Sequence, residues 1–130
     1  MKLDVLLERA GLTLPEEVRN RDILGVVCDS RQVKSGYIFV VIPGVDRDGL
    51  QYVEDAMARG AVAVVSETAC TVSRDAAVVP AGNARSALAA LATAFYGNPS
   101  GHLLTIGITG TNGKTTTAFI CRDILRAAGK

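Results

Sequence analysis

The sequence has no tryptophan, one histidine, three cysteines and aromatics at only 5%. Each scarcity removes a class of function. So few aromatic rings give no stacking platform for single-stranded nucleic acid. Lysine and arginine form no block and the formal net charge is +1, so there is no electrostatic footprint for a nucleic-acid backbone. Cys28, Cys70 and Cys121 lie far apart, are odd in number and make no Cys-x-x-Cys or Cys/His cluster. That spacing argues against a disulfide framework or a zinc site, and each cysteine is expected to be a small buried hydrophobe. No apolar run reaches the ~18 residues of a membrane span. The amino terminus, MKLDVLLERAG, carries Asp4 and Glu8 inside its apolar stretch, unlike a secretory signal. The expectation is a soluble cytoplasmic protein with no nucleic-acid or membrane partner.

What is present is an ordinary globular balance, 48% hydrophobic and 21% charged over 130 residues. Leu3, Leu6, Leu7 and Ala10 recur at helical spacing and Gly11 stops them, which predicts an opening amphipathic helix. ILGVVC (23–28), YIFVVIPG (37–44), AVAVVSE (61–67) and AAVVP (76–80) read as buried strands. Tyr52, Val53, Ala56 and Met57 mark one face of a helix that Gly60 ends. This alternation predicts a small α/β layered domain.

Composition shifts near Pro80 to Gly82. The alanine-rich NARSALAALATAFYGNPS predicts a helix with Leu88, Leu91, Ala92 and Phe95 on one face, capped by Asn83 and ended at Gly97-Asn98-Pro99. LLTIGIT then reads as a strand, GTNG as a turn, and KTTTAFICRDILRAAG as a helix that Gly129 stops. The expected division is therefore 1–82 and 83–130. A second piece of helix, strand, loop and helix cannot bury both faces of its one strand. The sequence thus reads as a fragment of a longer protein, with uncovered apolar surface that a second copy or a partner would cover.

The stretch GITGTNGKTTT (107–117) carries the chemistry. A phosphate needs converging donors with no bulky side chain in the way. Gly110 and Gly113 let the backbone turn so that N–H groups form a concave nest, and the helix beginning near Lys114 adds its free N–H groups and positive dipole end. Lys114 offers an ammonium to the outer phosphates, the Thr115 hydroxyl suits a Mg²⁺ ion, and Thr116 adds a second hydroxyl. The general phosphate-loop pattern would place a glycine where Ile108 stands.

These residues resemble the Mur ligase family. TGTNGKTTT is similar to the family's own ATP-binding loop, a variant without glycine at the position of Ile108. Upstream, DSRQVKSGYIFVVIPG, then DG, a helix and RGAVAVVSE resemble the family's amino-terminal domain. AFYGNPS with LLTIGITGTNGKTTT is most similar to the tripeptide-synthetase branch.

The resemblance implies three domains, of which this chain would hold the UDP-substrate domain (1–82) and the opening unit of the ATPase domain (83–130). It implies an ATP- and Mg²⁺-dependent ligase. The enzyme would phosphorylate the terminal carboxylate of UDP-MurNAc-L-Ala-D-Glu, and the amine of diaminopimelate or lysine would then attack the acyl phosphate. The fragment alone is expected to be inactive. Carried over by position, Gly110, Thr111, Asn112, Gly113, Lys114, Thr115 and Thr116 would bind ATP, with Lys114 catalytic and Thr115 on the metal. Ser30, with Cys28 just before it, would contact the uridine-diphosphate end, together with Val45, Asp46 and Arg47. In many relatives that last turn reads His-Gln-Ala. The alternatives are the branch acting one step later, or a non-catalytic module that binds a UDP-sugar or nucleotide. For Asp29-Ser30-Arg31 the plain alternative is a polar turn whose side chains satisfy local N–H groups.

Overall fold

The structure, a computed structural model, describes residues 1–13, 15, 21–44, 49–72 and 76–130. It divides into two compact units, Met1–Pro99 and Ser100–Lys130.

In the first unit α1 (Leu3–Arg9) is followed by β1 (Gly25–Val27), β2 (Tyr37–Val40), α2 (Val53–Ala58), β3 (Ala61–Ser66), β4 (Ala77–Pro80) and α3 (Ala84–Phe95). The four strands form one sheet in the order β1-β2-β3-β4, and every pairing is parallel. Parallel strands need both faces covered, which is why they read as near-continuous runs of valine, isoleucine and alanine.

The period-2 alternation of side chains assigns those faces. Ile38, Val40, Ala63, Val65 and Val79 point into one core with Leu3, Leu6 and Leu7 of α1 and Ala84, Ala87 and Leu91 of α3. Phe39, Val41 and Val64 point the other way, into a core with Val53 and Ala56 of α2 and Val33 of the β1–β2 link. The pairing of β2 with β3 skips Val62 between Tyr37↔Ala61 and Ile38↔Ala63. One extra residue there puts Ala61 on the same face as Val64. At the head of β3, Gly60 sits at φ +97, and a Cβ on it would lie 2.9 Å from the Ser35 Cα. Only glycine allows both that backbone and that approach.

The helices begin and end as their sequences direct. Asn83 Oδ1 accepts the Ser86 N–H at 2.8 Å, and Glu67 Oε1 at the end of β3 accepts the Ala84 N–H at 2.7 Å. These two acceptors satisfy orphan donors of the first turn of α3. Gly97 at φ +75 and Asn98 at φ +53 end it.

Three expectations need correction. The alanine-rich helix belongs to the first compact unit, so the units part at Pro99/Ser100 and not at residue 82. Ala84, Ala87 and Leu91 are core residues of the sheet domain, so the composition shift marks tight helix–sheet packing and not a new unit. LLTIGIT forms no strand, because a strand requires a ladder partner and none is present among the described residues. The cysteines are free but not uniformly buried: Cys28 is exposed, and Cys70 and Cys121 are intermediate.

In the second unit, α4 (Lys114–Ala127) follows the loop, and Gly129 at φ +73 closes it. The N–H groups of Gly129 and Lys130 donate back to the carbonyls of Arg126 and Leu125. Phe119, Ile120 and Ile124 of α4 are exposed. No helix among the described residues is long and apolar enough to cross a membrane.

Because α3 supplies one wall of the core, residues 1–99 should unfold in a single cooperative transition, whereas residues 1–82 should show none. Within 1–99, Leu91→Ala should cost about 2–5 kcal/mol in chemical denaturation. A cooperative melt of 1–82 would show that α3 is dispensable.

Candidate functional site

Two places in the chain gather the chemistry-bearing residues. The first lies where β1 ends. The link to β2 turns through a 3-10 segment, Ser30–Gln32. Asp29 caps that turn, its Oδ1 accepting the Arg31 N–H at 3.0 Å. Arg31 then folds back: Nε donates to Asp29 Oδ1 at 2.9 Å and Nη2 to Oδ2 at 2.7 Å, a two-pronged pair of the kind the planar guanidinium favours. The Arg31 side-chain and backbone hydrogen bonds pull the Asp29 carboxyl down from 3.8 to about 2, and the same pair raises Arg31.

Ser30 points inward from the turn and is 7% exposed. Asp55 of α2 takes the Arg59 Nε–H at 2.9 Å one helical turn on. Hydrogen bonding from Ser30 first, then Arg59, lowers the Asp55 carboxyl. Cys28, Asp29, Ser30 and Arg31 together with Tyr52 line a cleft of about 490 Å³. Thus the structure brings Cys28 and Ser30 to one hollow. Val45, Asp46 and Arg47 lie outside the described residues. Sequence reasoning missed Tyr52 as a cleft residue and missed Asp55 and Arg59 altogether. The i,i+4 spacing of Asp55 and Arg59 announced an ion pair, but nothing local says that α2 packs beside the turn after β1.

The second place is the loop before α4. Gly110 at φ +142 and Gly113 at φ +76 take backbone conformations that other residues rarely adopt. The first bond of the helix is Thr117 N–H to the Gly113 carbonyl at 2.9 Å. The N–H groups of Lys114, Thr115 and Thr116 therefore have no intrahelical acceptor, and no side chain caps them. The Lys114 ammonium lies over the loop, donating to the carbonyls of Gly110 and, at 3.3 Å, Thr111.

Three N–H groups, a dipole end and a mobile ammonium are what a phosphate requires. Thr115, at the second position of the helix, offers one hydroxyl oxygen. That suits a Mg²⁺ which keeps most of its ligands from phosphate and water. No cluster of metal-binding side chains is found among the described residues. Lys114, Thr115, Ala118, Phe119 and Arg122 line a hollow of about 540 Å³ with Ile108, and the Arg122 guanidinium lies 4.5 Å from the Phe119 ring centroid.

Fold and loop together define the class: a parallel α/β domain joined to a strand-like segment, a glycine-framed phosphate-type loop and a helix. Residues 22–96 match the family described as "Mur ligase family, catalytic domain". The chain belongs to the Mur ligase family.

Its relatives include UDP-N-acetylmuramoyl-L-alanyl-D-glutamate--2,6-diaminopimelate ligases. That of Geobacillus kaustophilus is 48% identical over 130 residues, covering 100% of this chain and 26% of the relative. That of Solibacter usitatus is 42% identical over 131 residues, 99% of this chain and 26% of the relative. The chain thus spans about a quarter of the length of the curated relatives it matches. Among solved structures, the Acinetobacter baumannii UDP-N-acetylmuramoylalanyl-D-glutamyl-2,6-diaminopimelate--D-alanyl-D-alanyl ligase superposes with a TM-score of 0.65. It is 24% identical and covers 88% of this chain and 25% of that one, a likeness of fold. The MurF ligase of Thermotoga maritima in complex with ADP has a TM-score of 0.54 at 28% identity, covering 80% of this chain and 22% of that one.

The Asp29–Arg31 pair yields a direct test. A carboxyl whose folded value is depressed contributes stability above its unfolded value, and loses it as pH falls through the folded value. Here that window runs from 3.8 down to about 2. An NMR titration of the Asp29 carboxyl should have its midpoint near the lower end, and Arg31→Ala should return it toward the upper end. A midpoint unmoved by Arg31→Ala would show that the pair does not persist in solution.

Proposed function

We propose that the chain is the amino-terminal part of an ATP-dependent amide ligase of the MurE type. Such an enzyme adds the third residue, diaminopimelate or lysine, to UDP-MurNAc-L-Ala-D-Glu in the cytoplasmic synthesis of peptidoglycan precursors. One observation carries this reading. Relatives bearing that single activity align with the whole of the chain at 40–48% identity, cleft and loop included.

In this reading the first unit takes the uridine-diphosphate end at Cys28 and Ser30, with Val45, Asp46 and Arg47 as further contacts. Gly110, Thr111, Asn112, Gly113, Lys114, Thr115 and Thr116 hold the phosphates of ATP. The reaction places the γ-phosphoryl group on the substrate carboxylate with loss of ADP; the amine then attacks the carbonyl carbon and expels phosphate. Lys114 stabilises charge on the phosphoryl oxygens, and the loop N–H groups fix them without reorganisation. A Mg²⁺ held through Thr115 would supply charge neutralisation on the same oxygens.

The branch acting one step later is the second reading, favoured only by the solved structures with which the chain shares a fold. Identity of 40–48% to the third-residue ligases, against 21–28% to those, supports the first reading over the second. A non-catalytic UDP-sugar or nucleotide module ranks below both, because a finished module would not leave Phe119, Ile120 and Ile124 of α4 exposed.

Two measurements test the proposal. The 130-residue chain should release no phosphate from ATP above a Lys114→Ala control when UDP-MurNAc-dipeptide is present. Turnover above that control would mean that the activity needs no further domains. In a full-length protein carrying this chain, Lys114→Ala should lower kcat for diaminopimelate or lysine ligation by about 10²–10³-fold, as removal of a single transition-state donor does. Unchanged kcat would remove Lys114 from the mechanism.

A further inference from the structure

Because every pairing in the sheet is parallel, the carboxyl ends of its strands lie on one side of the first unit. The first turn of α3 stands there too, since Glu67 at the end of β3 accepts the Ala84 N–H. The next residue, Arg85, reaches to the chain that leaves β2. Its Nη2 donates to the Pro43 carbonyl at 3.3 Å, a bond between residues 42 positions apart. Arg85 has no carboxylate partner among the described residues. A cation in a first helical turn also opposes the helix dipole, and α3 has no acidic residue there to offset it. Helix stability therefore does not explain Arg85; the reach to Pro43 does. The chain is held again at Gly49, which is buried. A Cβ on Gly49 would lie 2.8 Å from the Ile42 carbonyl oxygen and 2.9 Å from Val41 Cγ1, so only glycine fits this close approach. Leu50 then packs into the core on the α2 side. The described residues on either side of 45–48 are thus fixed, Gly49 against Ile42 and Pro43 by Arg85.

We propose that Arg85 is a positioning residue for the UDP-substrate. By holding the Pro43 carbonyl it sets where Val45, Asp46 and Arg47 meet that substrate. The inference rests on the proposed role of those three residues as substrate contacts, and it adds the side chain that places them. That side chain comes from α3, which packs on the face of the sheet opposite to α2. A segment that is placed before binding costs less to order when the ligand arrives. Without the Arg85 bond that ordering is drawn from the binding energy of the substrate. The end of the substrate held here is not the end that reacts. Its loss of binding is therefore shared by ground state and transition state, which raises KM and leaves kcat unchanged.

The test is steady-state kinetics of a full-length protein carrying this chain. Arg85→Ala should raise the KM for UDP-MurNAc-dipeptide about fivefold, the worth of one lost hydrogen bond. Both kcat and the KM for ATP should stay within about twofold of their unaltered values. The rise in KM should persist at high salt, because a tether to an uncharged carbonyl acts within the protein. A rise that disappears at high salt would mean that Arg85 attracts the anionic substrate directly, and it overturns the inference. Should the alanine variant not fold, Arg85→Met decides in its place, since it keeps an unbranched stem and removes the donor. A loss that falls on kcat or on the KM for ATP makes the role merely structural and overturns the inference as well. An unchanged KM in Arg85→Ala beside a raised one in Arg47→Ala overturns it too, and leaves the substrate contacts standing. An unchanged KM in both variants removes those contacts and the inference with them.

Discussion

A parallel sheet must bury both faces, and in Met1–Pro99 that requirement decides where every other element goes. The β2–α2–β3 crossover and the β1–β2 link lay Val33, Val53 and Ala56 over one face. Among the described residues, no crossover helix covers the other face. It is covered from outside the sheet's sequence by α1, which precedes β1, and α3, which follows β4. Those two helices must therefore pack on the sheet together, and the chain leaves this unit only after α3. Small residues make this possible: Ala84 and Ala87 let α3 lie close to a sheet whose own side chains on that face include Ala63 and Val79.

The same constraint locates the cleft. In open α/β sheets, ligand crevices form beyond the carboxyl ends of the strands, usually where the strand order reverses. Here the order β1-β2-β3-β4 runs without reversal, so no crevice arises from topology. The opening comes instead from the brevity of the β1–β2 link, whose 3-10 turn fills less space than a crossover helix would. Tyr52, just before α2, bounds it on the far side. A polar turn that merely satisfies its own N–H groups accounts for Asp29, which does that for Arg31.

What could be read from the sequence was local, and what could not was packing. The opening helix, the four apolar runs, the Asn83 cap and the closing glycines all depend on residues within a few positions of one another, and each stands close to where its pattern puts it. The loop from Gly110 to Lys114 is legible for the same reason, since its geometry follows from two glycines with positive φ and a helix start. The division of the chain was misread because alanine enrichment is silent about what a helix packs against. LLTIGIT was overread as a strand because an apolar β-branched run supplies only half of a ladder. Cys28 was expected inside on average behaviour, yet it follows β1 at the sheet's end, where the chain turns into the cleft. The i,i+4 spacing of Asp55 and Arg59 signals their ion pair, but nothing local signals that α2 packs beside the turn after β1.

The two places differ in charge. The loop presents three amide N–H groups, an ammonium and hydroxyls, with no carboxylate among Gly107–Thr117. That is a surface for an anion, and its affinity should fall as salt screens it. The cleft presents matched ion pairs whose charges cancel and an aromatic ring, so salt should affect its affinity little. A nucleotide-bearing ligand offers both charged and uncharged groups, so identical ligand chemistry does not imply equivalent sites.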